Sequence, residues 1–217
     1  MRTFGYPEFL FILEAAKWTI ALSLIAFVGG ALGGLLVALG RTSDSRTARA
    51  ASTAFVQVFQ GTPLLLQLFL VFFGAPVLGI DVNPWVAAGV ALILNTSAFL
   101  GEIWRGCIQA IPQGQTEASH ALGLHYFARM RDVILPQAFK IALPPTVGYM
   151  VQVIKGTSLA AIIGFTEVTR AGQIINNATF QPLIVFSVVA AIYFVLCWPL
   201  SLTASAIERR HRKALAR

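Results

Sequence analysis

The chain has 217 residues, of which 57% are hydrophobic and only 12% are charged, and its formal net charge is +7. Soluble domains carry roughly 25% charged residues, so this composition indicates an integral membrane protein. The basic residues are scattered between apolar blocks and do not form a stripe with interleaved aromatic residues, which argues against nucleic acid as a partner. Cys107 and Cys197 fall in a polar loop and in a predicted span, so we expect no disulfide, and no Cys/His spacing predicts a metal site.

The N-terminal part of the chain divides into two predicted segments. Residues 1–17 are rich in aromatic and aliphatic side chains but are interrupted by Glu8 and Glu14, so we predict a segment lying at the membrane interface. The apolar run at 18–39 meets the ~20 residues needed to cross a bilayer and exceeds the core of a signal peptide. Within it, Gly29 and Gly33 belong to two overlapping pairs of small residues that predict close approach of another helix.

Four further apolar runs predict spans at about 54–78, 85–103, 138–154 and 183–202. Pro63 lies inside the second of these next to Gly61, so we expect a broken helix beside a cavity there. Most basic residues fall in the loop after the first span, in the polar loop after the third, and in the tail at 206–217. The positive-inside rule therefore places the N-terminus outside and the polar loop and the tail in the cytoplasm.

Polar side chains occur inside the predicted spans or at their ends. Such residues usually face the interior of a helix bundle and often line a solute path. The candidates are Gln60, Thr62, Asn95, Thr96, Ser97, Gln152, Lys155, Thr157 and Ser158. For Asn95, Thr96 and Ser97, hydrogen bonding between helices explains the pattern equally well, whereas Lys155 and Ser158 stand beside a helix break, which favours the path. Glu102 and Arg105 are predicted to pair near the inner interface.

The polar loop at 104–137 cannot lie in hydrocarbon, where unpaired polar groups are costly. Thr116 is a candidate cap for a helix whose first turn contains Glu117, and Gly123 can adopt the left-handed conformation that ends it. We therefore predict two short helices at an angle, of which the first presents small side chains (Ala and Ser) outward to a partner. The alternative is an amphipathic helix lying on the inner leaflet.

The order of residues in this loop resembles the signature segment of ABC importer permeases, which dock on an ATPase. That pattern has Glu-Ala-Ala, a glycine six residues after the glutamate, and a hydrophobic-X-Leu-Pro ending. It is matched here by Glu117, Ala118, Gly123, Leu135 and Pro136, with Ser119 in place of the second alanine and Val133 in place of the usual isoleucine.

Further segments resemble the branch of this family that imports polar amino acids. Residues 59–65, FQGTPLL, are similar to F-R-G-T-P-L-L, and residues 155–159, KGTSL, are similar to K-D-T-S-L. The block that begins at Glu102 resembles E-I-x-R-G-x-I-x-x-I-x-x-G-Q-x-E. Gln60 replaces the usual arginine and Gly156 the usual aspartate, and each change removes a charge.

The resemblance implies an all-α integral membrane protein of five spans, with the type I importer core, in the bacterial inner membrane. It implies a transporter subunit and no enzyme, with a cytoplasmic ATPase dimer, an external solute-binding protein and a second permease subunit, identical or sister, as partners. The coupling residues would be Glu117, Ala118, Ser119, Ala121, Leu122, Gly123, Leu135 and Pro136. The chain has no G-x-x-x-x-G-K-[ST] motif, so we expect no cofactor in it, with ATP and Mg²⁺ bound by the ATPase. The alternatives are a permease for another small solute, such as an osmolyte or opine, and an ion-coupled transporter that works alone.

Overall fold

The computed structural model describes residues 3–215, with side chains through Arg210, and the regular structure in this range is helical. Within it, four helical stretches are long and apolar enough to cross a bilayer: α1 (Tyr6–Thr42), α4 (Pro84–Gln109), the stretch Tyr126–Ile163, and α9 (Pro182–Leu215). A fifth candidate is the pair α2 (Arg46–Gly61) and α3 (Leu64–Val77), which are bent by 101° at the break between them. The predicted all-helical membrane fold is confirmed, with five spans when the bent pair is counted as one.

Shorter helices connect the spans. Between α4 and the next span lie α5 (Gln113–Ala121), α6 (Tyr126–Arg129) and a π-helical turn (Met130–Ile134), which leads directly into α7 (Leu135–Gly156). A 3₁₀ helix (Thr157–Ile163) and α8 (Val168–Thr179) then connect α7 to α9.

The long helix α1 packs closely against α4. A Cβ atom on Gly30 would lie 2.3 Å from Cγ2 of Thr96, and one on Gly33 would lie 2.2 Å from Oγ of Ser97. A Cβ on Gly29 would lie 2.7 Å from Cδ1 of Ile93. At these three positions a Cβ would overlap side-chain atoms of α4, so glycine allows the two helices to pack closely. The partner of the small-residue pattern is therefore α4 of the same chain.

The buried apolar side chains form two large clusters along α1. The first joins α1, α3, α4, α7 and the 3₁₀ helix, and its fully buried members include Leu22, Leu68 and Leu92. The second joins the N-terminal third of α1 to α8 and α9, through residues such as Ile12, Val168 and Val185. The connection between the last two spans is thus packed on α1 and is not a free loop.

The predicted boundary after residue 17 is not a break in the structure. Tyr6–Thr42 form one helix, which starts where the N–H of Gly5 donates to Oε2 of Glu8 at 3.0 Å. Charged side chains do not interrupt the backbone hydrogen bonds of a helix, and Glu14 pairs with Lys17 on its exposed side. At the other end, α9 continues through most of the predicted tail. Residues 1–2 and 216–217 of these two predicted segments lie outside the described residues.

Candidate functional site

The turn after α5 is built as the sequence predicts. Gly123 has φ of +73°, its N–H donates to the carbonyl of His120 at 2.9 Å, and the N–H of Leu124 donates to the carbonyl of Ser119 at 3.0 Å. These two bonds define a Schellman motif, which satisfies the last carbonyls of a helix. The chain then continues into α6, so the loop contains two short helices on either side of a sharp turn.

The start of α5 differs from the prediction. The helix begins at Gln113 with Pro112 as its N-cap, whereas Thr116 was the predicted cap. Pro112 has φ of −54° and ψ of 137°, an extended conformation that proline adopts readily and that precedes a helix. The hydroxyl of Ser119 donates to the carbonyl of Thr116 at 2.7 Å, and Ser119 is only 2% exposed. The prediction that Ser119 points outward is therefore wrong. Its position in the helical repeat places it on the inner face.

The outward face of α5 consists of other residues from the same motif. Glu117, Ala118 and Ala121 are exposed, and Leu122 is 78% exposed. Small side chains beside one acidic group and one protruding leucine form a surface on which another backbone can approach closely. We call these four residues the α5 surface.

The loop is packed against the ends of three spans. Ile111, Met130, Ile134 and Ala138 are buried together and form what we call the loop cluster. Around it pack Leu39 from the C-terminal end of α1, Ile108 from that of α4, Tyr126 and Val133 from the loop itself, and Leu135 and Ile141 from the first part of α7. The chain before α5 and the chain after it are therefore both joined to these spans by close-packed side chains.

The entry into α7 contains Leu135 and Pro136. Pro136 occupies the first turn of α7 and has no N–H for the carbonyl of Asp132, and the chain passes through a π-helical turn immediately before it. Leu135 packs on the loop cluster, whereas Pro136 is exposed. These two residues therefore anchor and start the return helix.

Glu102 and Arg105 lie in the last turns of α4, which continues to Gln109 and so includes the first residues of the predicted polar loop. Nε of Arg105 donates to Oε1 and Oε2 of Glu102 at 3.0 Å. Glu102 has a second partner that the sequence analysis missed, because Nη1 of Arg41 at the end of α1 donates to its Oε2 at 2.8 Å. The carboxylate therefore joins the ends of α1 and α4 near one edge of the apolar region.

The break between α2 and α3 is stabilised by a glutamine that the sequence analysis did not consider. Nε2 of Gln67 donates to the carbonyl of Phe59 at 2.9 Å, and to the carbonyl and hydroxyl of Thr62 at 3.1 and 2.9 Å. Its Oε1 accepts from Nδ2 of Asn95 on α4 at 3.1 Å. Gln67 is 5% exposed and Asn95 is 8% exposed. A glutamine one turn after a mid-span proline was the signal available in the sequence.

The other predicted pathway residues in this half of the chain serve different contacts. Thr96 and Ser97 are buried against the glycines of α1, and the hydroxyl of Ser97 donates to the carbonyl of Ile93 at 2.7 Å. The hydroxyl of Thr62 donates to the carbonyl of Val58 at 2.7 Å. Gln60 remains exposed while its Nε2 donates to the carbonyl of Ala98 at 3.3 Å. Of these residues, Gln60 presents the most accessible polar side chain.

The second group of pathway candidates surrounds the end of α7. Gln152 and Lys155 are exposed, Thr157 is fully buried and Ser158 is half-buried. The hydroxyls of the last two donate to backbone carbonyls of α7 at 2.7 and 2.6 Å. A Cβ on Gly156 would lie 3.3 Å from Cδ2 of Leu64, the first residue of α3. The fold therefore brings the end of α7 and the α2–α3 break together.

Glu167 is a buried acidic residue to which the sequence analysis gave no role. It is fully buried and caps α8, with Oε2 and Oε1 accepting from the N–H groups of Thr169 and Arg170 at 2.9 Å. The hydroxyl of Tyr193 on α9 donates to Oε2 at 2.6 Å. Burial raises the pKa of this carboxyl, against the effect of these hydrogen bonds. An acidic residue directly before an amphipathic run was the sequence signal for this cap.

Two other kinds of site receive no support from the described residues. A cavity of about 390 Å³ between α1, α7 and α9 has an almost entirely apolar lining, and the hydroxyl of Ser23 in it already donates to the carbonyl of Thr19. It therefore offers little to a polar solute. Within the described part of the chain, no three His, Cys, Asp or Glu side chains are grouped so as to hold a metal ion.

Comparison with known protein families gives one match that spans nearly the whole chain. The sequence profile described as "Binding-protein-dependent transport system inner membrane component" matches residues 10–213. The chain belongs to this family. It is therefore a multi-pass transport component of the bacterial inner membrane and not a catalytic enzyme.

Individual relatives of this inner membrane component are similar over most of their length. The glutamine transport system permease protein GlnP of Escherichia coli K12 is 36% identical over 207 residues, which cover 94% of each chain. The L-cystine transport system permease protein TcyB of Bacillus subtilis strain 168 is 36% identical over 201 residues, or 92% of this chain and 86% of that one. These names agree with the family resemblance of the sequence motifs.

Solved structures support the same assignment. A crystal structure of an amino acid ABC transporter with histidines superposes with a TM-score of 0.88 at 33% identity, covering 96% of this chain and 100% of that one. A chain of the MetNI methionine ABC transporter, in an inward-facing conformation, superposes with a TM-score of 0.79 at 18% identity, over 95% and 99% of the two chains. The second likeness supports the fold alone, which is that of type I importer permeases.

Proposed function

We propose that this inner membrane component is the permease subunit of an ABC importer that carries a polar amino acid from the periplasm to the cytoplasm. A separate cytoplasmic ATPase dimer binds ATP and Mg²⁺, because the chain has no nucleotide-binding motif. A periplasmic binding protein delivers the solute. The names of the GlnP and TcyB relatives favour an amino acid as substrate.

The observation that carries this proposal is the α5 surface, an exposed patch on a helix that lies in the chain between Ile111 and Met130, two members of the loop cluster. A helix that merely lay on a membrane would present a broad apolar stripe, whereas α5 presents Ala118, Ala121 and Leu122 next to Glu117. Such a patch fits a cleft in a protein partner. When the ATPases close on ATP, the α5 surface moves with them and the loop cluster passes this motion to α4 and α7.

The orientation is part of the proposal. The aromatic rings of Trp18 and Trp85 pack edge to face at one end of the bundle, with their centroids 5.9 Å apart. Aromatic side chains of this kind are expected at a membrane interface. Arg41 and Glu102 pair at the other end. Trp18 and Arg41 are separated along α1 by about 35 Å at 1.5 Å per residue, close to the ~30 Å of a bilayer core. The basic polar loop at the Arg41 end favours a cytoplasmic location for that end, with the N-terminus outside.

A second permease subunit, identical or sister, completes the solute path. Five spans are too few to enclose a path with its own gates. The exposed residues at the α2–α3 break and at the end of α7, Gln60, Gln152 and Lys155, are the candidates to face it. Their accessibility supports the path, whereas the contacts of Thr96 and Ser97 with α1 support a packing role for those two residues.

The proposal is tested by uptake of labelled amino acids into cells that express the chain with its ATPase and binding protein. Glu117→Arg should abolish uptake and the recovery of the ATPase with the solubilised permease, while membrane insertion is unchanged. Asp132→Arg is the matched control, because Asp132 is an exposed acid of the same loop outside α5. Full uptake by Glu117→Arg would refute coupling through α5.

Two alternatives have distinct outcomes. If uptake is coupled to the ATPase but no amino acid is carried, and the binding protein is stabilised by another small solute in a thermal-shift screen, the substrate class is wrong. If the purified chain alone moves amino acids into liposomes under an ion gradient, without an ATPase, it is a secondary transporter.

A further inference from the structure

The break between α2 and α3 leaves specific backbone groups without helical partners. In a continuous helix the carbonyl of Phe59 would accept from the N–H of residue 63, but residue 63 is proline and has none. The 101° bend also turns the carbonyl of Thr62 away from the helix that follows. Carbonyls that lose their helical partners within an apolar segment need replacement donors, because an unpaired backbone group there is costly.

The amide of Gln67 supplies these donors. Its Nε2 bonds both carbonyls and the Thr62 hydroxyl, so the nitrogen side of the amide faces the break. Its oxygen faces α4, where it accepts from Nδ2 of Asn95, and the same Nδ2 also lies 3.4 Å from the carbonyl of Phe59. Every polar atom of the Gln67 side chain is thus used to join the bend to α4.

The outer side of the same break is open. A Cβ on Gly61 would meet no atom within 4 Å, and Gly61 and Gln60 are exposed. The first residue of α3 touches Gly156 at the end of α7, beside the exposed Lys155. Residues 60–63, which we call the break segment, therefore have one face fixed by Gln67 and another face free to meet a solute.

We propose that Gln67 is a positioning residue for transport. Held by Asn95, it fixes the break segment against α4 and thereby sets the position of Gln60 and Gly61 in the solute path. Gln67 itself is buried and contacts no solute. This inference rests on the proposed function for its role in transport, but the positioning of the break segment can be measured independently of uptake.

The test uses the permease assembled with its ATPase in proteoliposomes and two readouts, each expressed per folded complex. The first is the half-saturating concentration of L-glutamine, presented with the binding protein. The second is the rate at which a water-soluble maleimide labels Gly61→Cys, read against the chain with only its native cysteines, both of which are buried. Gln57→Met is the matched control, since Gln57 is an exposed glutamine of α2.

Gln67→Met should raise the half-saturating concentration about fivefold or more and change the labelling rate, while Gln57→Met changes neither. Asn95→Leu should do the same, and it supplies the test if Gln67→Met does not insert. The double variant should be no worse than the more impaired single variant, because the two side chains act as one unit.

Two outcomes would overturn the proposal. One is a reduced yield of the complex with an unchanged half-saturating concentration and an unchanged labelling rate, which would show a purely structural role. The other is additive effects of the two substitutions in the double variant. If the wild-type complex takes up no amino acid, the proposed function fails, and the labelling rate alone still decides whether Gln67 positions the break segment.

Discussion

The hydroxyl of Tyr193 donates to Oε2 of Glu167 at 2.6 Å and joins α9 to the N-terminus of α8. The same carboxylate accepts from the N–H groups of Thr169 and Arg170, and the Tyr193 hydroxyl lies 3.1 Å from that of Thr169. One side chain thus caps a helix and links it to the last span. This explains how the polar connection between α7 and α9 packs as a fixed part of the bundle.

Removing the Tyr193 hydroxyl should destabilise the permease. Tyr193→Phe leaves the fully buried Glu167 with one hydrogen bond fewer, which we expect to lower the free energy of unfolding by about 1–3 kcal/mol. Glu167→Ala should cost about 1 kcal/mol more, because the cap of α8 is lost as well. The melting temperature of the purified complex measures both effects. Tyr6→Phe is the control, since Tyr6 is 72% exposed, and equal melting of Tyr193→Phe and wild type would contradict the prediction.

The ionisation of Glu167 should make stability depend on pH. Burial raises the pKa of this carboxyl above its ordinary 4.5, so near that pH the native chain holds a proton that the unfolded chain has released. The resulting stabilisation is complete below the ordinary pKa and is lost as the pH rises through the raised one. The melting temperature of the wild type should therefore fall relative to that of Glu167→Gln as the pH is raised from about 4.5. If the difference in melting temperature between the two proteins stays constant with pH, or changes in the opposite direction, the hydrogen bonds outweigh burial in setting the pKa of Glu167.

The contact between α1 and α4 should not tolerate a single added methyl group at its closest point. In Gly30→Ala the new Cβ would lie 2.3 Å from Cγ2 and 2.5 Å from Cβ of Thr96, so the helices themselves must separate. We expect a loss of about 1–3 kcal/mol, measured by thermal melting of the complex. Gly74→Ala is the control, because its Cβ would meet no atom within 4 Å and alanine favours the helix. A melting temperature for Gly30→Ala equal to that of the control would mean that the helices are farther apart.

The features that the sequence predicted are those set by local chemistry. Apolar length predicted the spans, Pro63 predicted the break, and Gly123 predicted the turn, because each depends on the chain within a few residues. Pro112 caps α5 four residues before the predicted cap at Thr116. The location of Ser119 was wrong for a different reason, because the face of α5 that turns inward depends on its packing against the rest of the protein, which the helical period does not give.

The contacts that the sequence did not predict join distant parts of the chain. Arg41 and Glu102 are 61 residues apart, and Gln67 and Asn95 are 28 residues apart. Nothing in the local pattern distinguishes Arg41 from other basic residues near span ends. The polar triplet at residues 95–97 had two explanations until packing assigned Asn95 to the break and the other two residues to α1. Such pairings depend on which helices are neighbours, and periodicity along one helix does not contain that information.

The left-handed residue after α5 gives a direct test of the coupling loop. Gly123 has φ of +73°, a conformation that costs roughly 1–2 kcal/mol for a residue with a Cβ, whereas Gly114 lies inside α5. A Cβ at either position would meet no atom within 4 Å, so the two glycines differ in backbone conformation and not in available space.

Gly123→Ala should therefore weaken binding of the ATPase about 5- to 30-fold if the turn must keep its shape in the complex. Gly114→Ala should leave binding unchanged, because alanine suits a helix. Titration of the ATPase onto the permease in nanodiscs measures both variants, and equal affinities would show that the partner does not require this turn.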